Sequence, residues 1–168
     1  MASLIDTLID TLEKENKEYE SLLELGLEKT GIIIRNDVDE LSRMVEKEQL
    51  VVERIIALEK KRTEASNDIA DVLNKDVKTL TLTRLIELLS SQPKERDALA
   101  SIHDRLSLTM KRMVDVNERN KALLDESMDM LRFLLQSMRH GPETNNYGRD
   151  AYISNNYALP DTKFDKKQ

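Results

Sequence analysis

The chain has 168 residues, of which 35% are charged and only 4% aromatic, with four glycines and no cysteine. That composition suits long, surface-rich helices rather than a thick globular core, and the lack of cysteine excludes a disulfide framework, thiolate chemistry and a zinc ribbon. A formal net charge of −6 argues against a nucleic-acid partner, because such binding draws its affinity from neutralising phosphates.

The opening, Met-Ala-Ser-Leu-Ile-Asp, has no charged leader region, and no apolar run approaches the ~18 residues that a membrane span needs. The expectation is a cytoplasmic protein without membrane insertion. Residues 3–33 place Leu4, Ile5, Leu8, Ile9, Leu12, Tyr19, Leu22, Leu23 and Leu27 at helical spacing, with Ser3 and Asp6 resembling an N-terminal cap. This segment is acidic, with eight Asp/Glu against three Lys up to Thr30. Two readings of Gly26 stand side by side: a site of close helix approach, or a weak spot of ~1 kcal/mol relative to Ala. Ile32, Ile33 and Ile34 read as the packed end of a hairpin, and Asn36 as the N-cap of the next helix.

A second helix follows over about 37–74, with Val38, Leu41, Met44, Val51, Ile55, Ala65 and Ile69 among its apolar positions. At ~1.5 Å per residue it runs to over about 50 Å and must lie along a partner; a short turn makes the first helix that partner, in an antiparallel hairpin. Lys60-Lys61-Arg62 reads as an exposed face flanked by Glu59 and Glu64. Asn74-Lys75-Asp76 ends the helix, and Thr79, Thr81 or Thr83 caps a short helix over about 80–90. Pro93 opens a last helix over 93–140, roughly 70 Å long, which Gly141-Pro142 closes. The fold expected is all-α: an elongated antiparallel hairpin, a short helix and a long C-terminal helix in a coiled-coil-like bundle of three long helices. Residues 1–140 form this bundle. Residues 141–168 lack a helical period and read as a flexible or extended tail.

Chemistry is sparse. His103 and His140 have no second ligand at helical spacing other than ordinary carboxylates, and there is no phosphate loop, nucleophile motif or paired-carboxylate cleft. The sequence predicts no catalytic residue, no metal site, no cofactor and no enzyme. The unusual feature is instead in the last helix. Leu123, Leu124, Met128, Met130, Leu131, Leu134, Leu135 and Met138 sweep an arc of roughly 160°, wider than the ~100° stripe of one core face. Five of the seven methionines lie in this helix, and methionine suits surfaces that accept varied partners. Asn120 falls on the seam, where it either fixes the register between helices or belongs to a binding face. Tyr147, Tyr152 and Tyr157 in the tail either anchor in a partner's pocket or fold back on the bundle.

Three strings carry a family resemblance. Leu58-Glu59-Lys60-Lys61-Arg62 is similar to a Leu-Glu-x-x-Arg pattern, Asn117-x-x-Asn120-x-x-Leu123-Leu124 to Asn-x-x-Asn-x-x-Leu-Leu, and Tyr147-Gly148 to a Tyr-Gly after the last helix. In this order and spacing they resemble FlgN, the flagellar type III export chaperone family. The resemblance implies a chaperone that holds the hook–filament junction proteins FlgK and FlgL, prevents their premature assembly and delivers them to the export gate protein FlhA. It places client binding on Asn120, Leu123, Leu124, Met128, Leu131, Leu134, Leu135 and Met138, and gate docking on Tyr147 with Gly148. A second glycine common in the family pattern is replaced here by Ala151, and Tyr152 and Tyr157 are additional. The competing expectation is a coiled-coil adaptor or homodimerising scaffold that uses the same arc for itself; the chaperone reading expects a monomer or weak homodimer.

Overall fold

The structure is a computed structural model and describes residues 2–139. These residues are all-α: α1 (Ala2–Ile34), α2 (Val38–Val72), α3 (Leu82–Leu88) with a 3₁₀ turn at Leu89–Ser91, and α4 (Pro93–Arg139). By compactness the chain divides into Met1–Leu131 and Arg132–Gln168. The expected helices are all present, with ends shifted by about two residues or fewer, as fraying ends usually are.

The details of the ends depart from expectation. Ser3 is not a cap but lies inside α1, where its carbonyl accepts the Thr7 hydroxyl at 2.8 Å. Asn36 is not the N-cap of α2 either. It stands at φ 55°, the left-handed conformation that ends a helix, and it terminates α1. Asp37 N donates to Ile32 O at 3.3 Å and Asn36 N to Ile33 O at 3.0 Å, the paired closure of a Schellman end. Asp37 then caps α2, its Oδ1 accepting from Glu40 N at 3.0 Å. Asn74 repeats the device at the end of α2, with φ 48° and a Lys75 N to Ala70 O bond of 2.9 Å. Of the three candidate threonines, Thr81 caps α3 through Arg84 N.

The α1–α2 hairpin is antiparallel. As α1 advances its partners on α2 recede: Glu15 meets Arg62, Tyr19 meets Glu59 and Lys29 meets Glu48. The core gathers Ile5, Leu8 and Leu12 from α1, Ile69 from α2, Leu85 and Leu89 from the short turn region, and Leu99, Ile102 and Leu106 from α4. Each fully buried Leu or Ile contributes about 1.5–3 kcal/mol relative to exposure. Ile32 and Ile33 are buried at the hairpin end, as their packing role requires, while Ile34 is exposed.

Candidate functional site

The site is built on how α4 meets α1. Glu13 pairs with Arg105, Gly26 with Asn120 and Thr30 with Asn120, at sequence offsets of 92, 94 and 90. A near-constant offset means that α4 runs parallel to α1. At Gly26 the two helices approach closely: a methyl group there would stand 3.2 Å from Val116 Cγ1. Of the two readings of this glycine, close approach is the one the structure shows. The gap left by the missing side chain exposes the Gly26 carbonyl, and Asn120 Nδ2 donates to it at 2.8 Å. The Thr30 hydroxyl donates to Asn120 Oδ1 at 2.5 Å. Asn120 is 3% exposed. Both ends of its amide are engaged with α1, so buried polar atoms that would otherwise cost about 1–3 kcal/mol are satisfied. Asn120 is thus almost wholly enclosed, with its amide turned to α1, while it also borders a shallow groove beside Leu124.

The same register decides what lies beyond. α1 ends at Ile34, and at these offsets its last residue is level with about position 126 of α4. Leu123 and Leu124, still alongside α1, are half-buried. Leu124 lines the shallow groove with Leu22 and Lys29 of α1, Glu48 and Val52 of α2, and Asn117, Asn120 and Lys121 of α4. Met128 and Leu131, past the end of α1, are exposed at 49% and 48%. In the second unit every residue from Arg132 to Arg139 is exposed, Leu134, Leu135 and Met138 among them. Met130 and Phe133 are exposed as well; Phe133 fell outside the arc of the sequence reading, although its place in the same helix gave a signal. A row of bare apolar side chains on one helix is what a protein-binding surface requires, and no core of the described fold uses it.

Sequence reasoning missed a buried polar cluster between α1 and α2. Glu15 is fully buried, and Arg62 Nη1 stands 3.1 Å from its Oε1 without aiming a hydrogen at it. Beside it, the Tyr19 hydroxyl donates to Glu59 Oε1 at 3.1 Å. Burial pushes the Glu15 carboxyl above the usual carboxylate range; the Arg62 charge opposes this and the Glu59 charge adds to it. Burial and the Glu59 bond push Tyr19 up to about 12. Glu59 and Arg62 are the charged residues of Leu58-Glu59-x-x-Arg62, so this string clamps the hairpin. Lys60 and Lys61 are exposed as expected, but Arg62 is not part of that solvated face. The signal was present: Leu8, Leu12, Glu15 and Tyr19 follow one another by four, three and four positions, which sets Glu15 on the apolar seam.

Two of the three resemblance strings therefore act within the helical fold, one between α1 and α2 and one between α1 and α4. The FlgN family model, described as FlgN protein, matches residues 1–154. The chain belongs to the FlgN family. No curated protein and no solved structure matches it. FlgN proteins are flagellar export chaperones, so the working chemistry is the holding of another protein. Among the described residues no helix is long and apolar enough to cross a membrane. Tyr147 and Gly148, the third string, lie outside the described residues, as do His140 and the whole of the expected tail at 141–168.

Proposed function

We propose that this FlgN-family chain holds the junction proteins FlgK and FlgL in the cytoplasm, prevents their premature assembly and delivers them to the gate protein FlhA. The client is held by apolar side chains of α4 at Leu123, Leu124, Met128, Leu131, Leu134, Leu135 and Met138, with Asn120 supporting them from within. Tyr147 with Gly148 makes the gate contact, so residues 1–140 hold and residues 141–168 dock. The observation that carries this reading is the exposure of Met128, Leu131, Leu134, Leu135 and Met138 on one helix. An amphipathic client helix laid on such a face buries apolar area at ~25 cal/mol per Å², while ordering and docking consume much of the gain. The affinity is then moderate, which permits release without a nucleotide.

Leu131→Asp places a charge in the middle of that face. It should abolish co-purification with a FlgK- or FlgL-type protein, a loss of about tenfold or more, while helicity by circular dichroism stays native because Leu131 is already exposed. Full client capture by a natively helical Leu131→Asp protein rules out this surface. The scaffold alternative is separated by light scattering over a range of concentrations, where it requires a tight dimer without client.

A further inference from the structure

We propose that Asn120 is a positioning residue: with Gly26 and Thr30 it locks the register of α4 against α1, and so fixes which α4 side chains stand clear of the hairpin. This rests on the client reading above and deepens it. The seam of α4 is otherwise mostly apolar, with Leu99, Ile102, Leu106, Met113 and Val116 buried or half-buried and Leu124 following; the buried Thr109 donates its hydroxyl to Arg105 O at 3.0 Å within α4 and so ties it to no register. Apolar seams define register weakly, because sliding by one turn, about 5.4 Å, replaces one apolar side chain with another. Asn120 removes that degeneracy. Its amide is satisfied where it finds both the Gly26 carbonyl at 2.8 Å and the Thr30 hydroxyl at 2.5 Å, at an approach that a Cβ on residue 26, 3.2 Å from Val116 Cγ1, would crowd. A slide one turn in one direction sets Leu124 in its place and draws Met128 back alongside α1. A slide the other way sets Val116 there and carries the whole seam outward. Either leaves a buried amide unpaired, which is the cost that holds the register.

The consequence separates this role from direct contact. Thr30 is on α1, so a client that touched Asn120 itself would be indifferent to the Thr30 hydroxyl; a register lock is not. The test uses Asn120→Leu, Thr30→Val and Thr30→Ser. The chain has no cysteine, so Glu28→Cys with Glu126→Cys, both exposed positions, takes a pair of spin labels without background. In Asn120→Leu and Thr30→Val the label distance should shift or gain a second component of about one turn at native helicity. Junction-protein affinity should fall about two- to tenfold, in step with the loss of the competent register. Thr30→Ser, which keeps the hydroxyl, should restore both. If Asn120→Leu loses the client while Thr30→Val keeps both the wild-type distance and affinity, Asn120 touches the client directly and the proposal is overturned. Unchanged distances in both variants overturn it too, since packing alone would then set the register. Failure of the client surface is a different result: Leu131→Asp retains the client, while the label distances still decide the register without any client present.

Discussion

Glu15 is the residue at which this fold is least at ease. It is fully buried, and no donor is aimed at its carboxylate oxygens, although Arg62 lies 3.1 Å away and is a third exposed. Its carboxyl is raised from the ordinary value of 4.5, chiefly by burial. The sign follows from linkage. A carboxyl that holds its proton more tightly when folded makes the folded state bind more protons than the unfolded one above pH 4.5, so its contribution to stability falls as pH rises through the folded value. Glu15→Gln removes that penalty, and Arg62 can turn its charge to water. The melting temperature at pH 7.5 should rise by about 2–4 °C, the shift of a ~1 kcal/mol gain in a chain of this size, and the advantage should shrink as pH is lowered towards 4.5. Thermal melts at pH 5 and 7.5 decide it, and a less stable Glu15→Gln at pH 7.5 means that the Arg62 attraction outweighs burial. Such a costly residue on an apolar seam was legible as a position but not as a charge: spacing identifies the face a side chain takes, not the partner that meets it 47 residues later on another helix.

At the scale of elements, the helices were legible because each carries a long 3.6-residue period and strong punctuation. Their caps were less so, for a local reason. Asn36 and Asp37 are adjacent, and both residue types suit a helix start. The tie is broken by conformation: asparagine tolerates the left-handed geometry at φ 55°, so it takes the C-terminal end of α1 and leaves the N-cap to Asp37. The hairpin turn thus has two separable parts. Asp37→Ala loses the bond to Glu40 N and should cost about 1 kcal/mol in urea unfolding. Asn36→Ala should cost about 1–2 kcal/mol through its positive φ, whereas Asn36→Gly should stay close to wild type. If Asn36→Ala and Asn36→Gly unfold at the same midpoint, backbone conformation is not what the asparagine supplies. The register of α4 was beyond reach of the sequence because several apolar alignments are equivalent until Gly26, Thr30 and Asn120 are seen together.

For the molecule as a whole, an export chaperone must perform two operations that pull against each other. Holding requires an apolar face that a client covers, and delivery requires a second contact that does not compete for that face. On the proposed reading, the exposed side chains of α4 supply the first. The sequence supplies a candidate for the second in Tyr147-Gly148, separated from Met138 by eight residues that include Gly141-Pro142. A tyrosine suits a docking anchor: its ring fills an apolar pocket at low entropic cost and its hydroxyl finds a polar partner at the rim. If the two operations are separate, they respond to separate substitutions. Tyr147→Ala should leave junction-protein affinity within about twofold of wild type and weaken binding to the cytoplasmic domain of the gate by about tenfold or more, the loss expected when an aromatic anchor is truncated. Leu131→Asp should give the reverse pattern. Tyr152→Ala and Tyr157→Ala, measured beside Tyr147→Ala by calorimetry, show whether the docking anchor is Tyr147 or one of the two additional tyrosines. A Tyr147→Ala protein that binds the gate as wild type does removes this residue from the delivery step, and a parallel loss of client affinity shows that holding and docking share one surface.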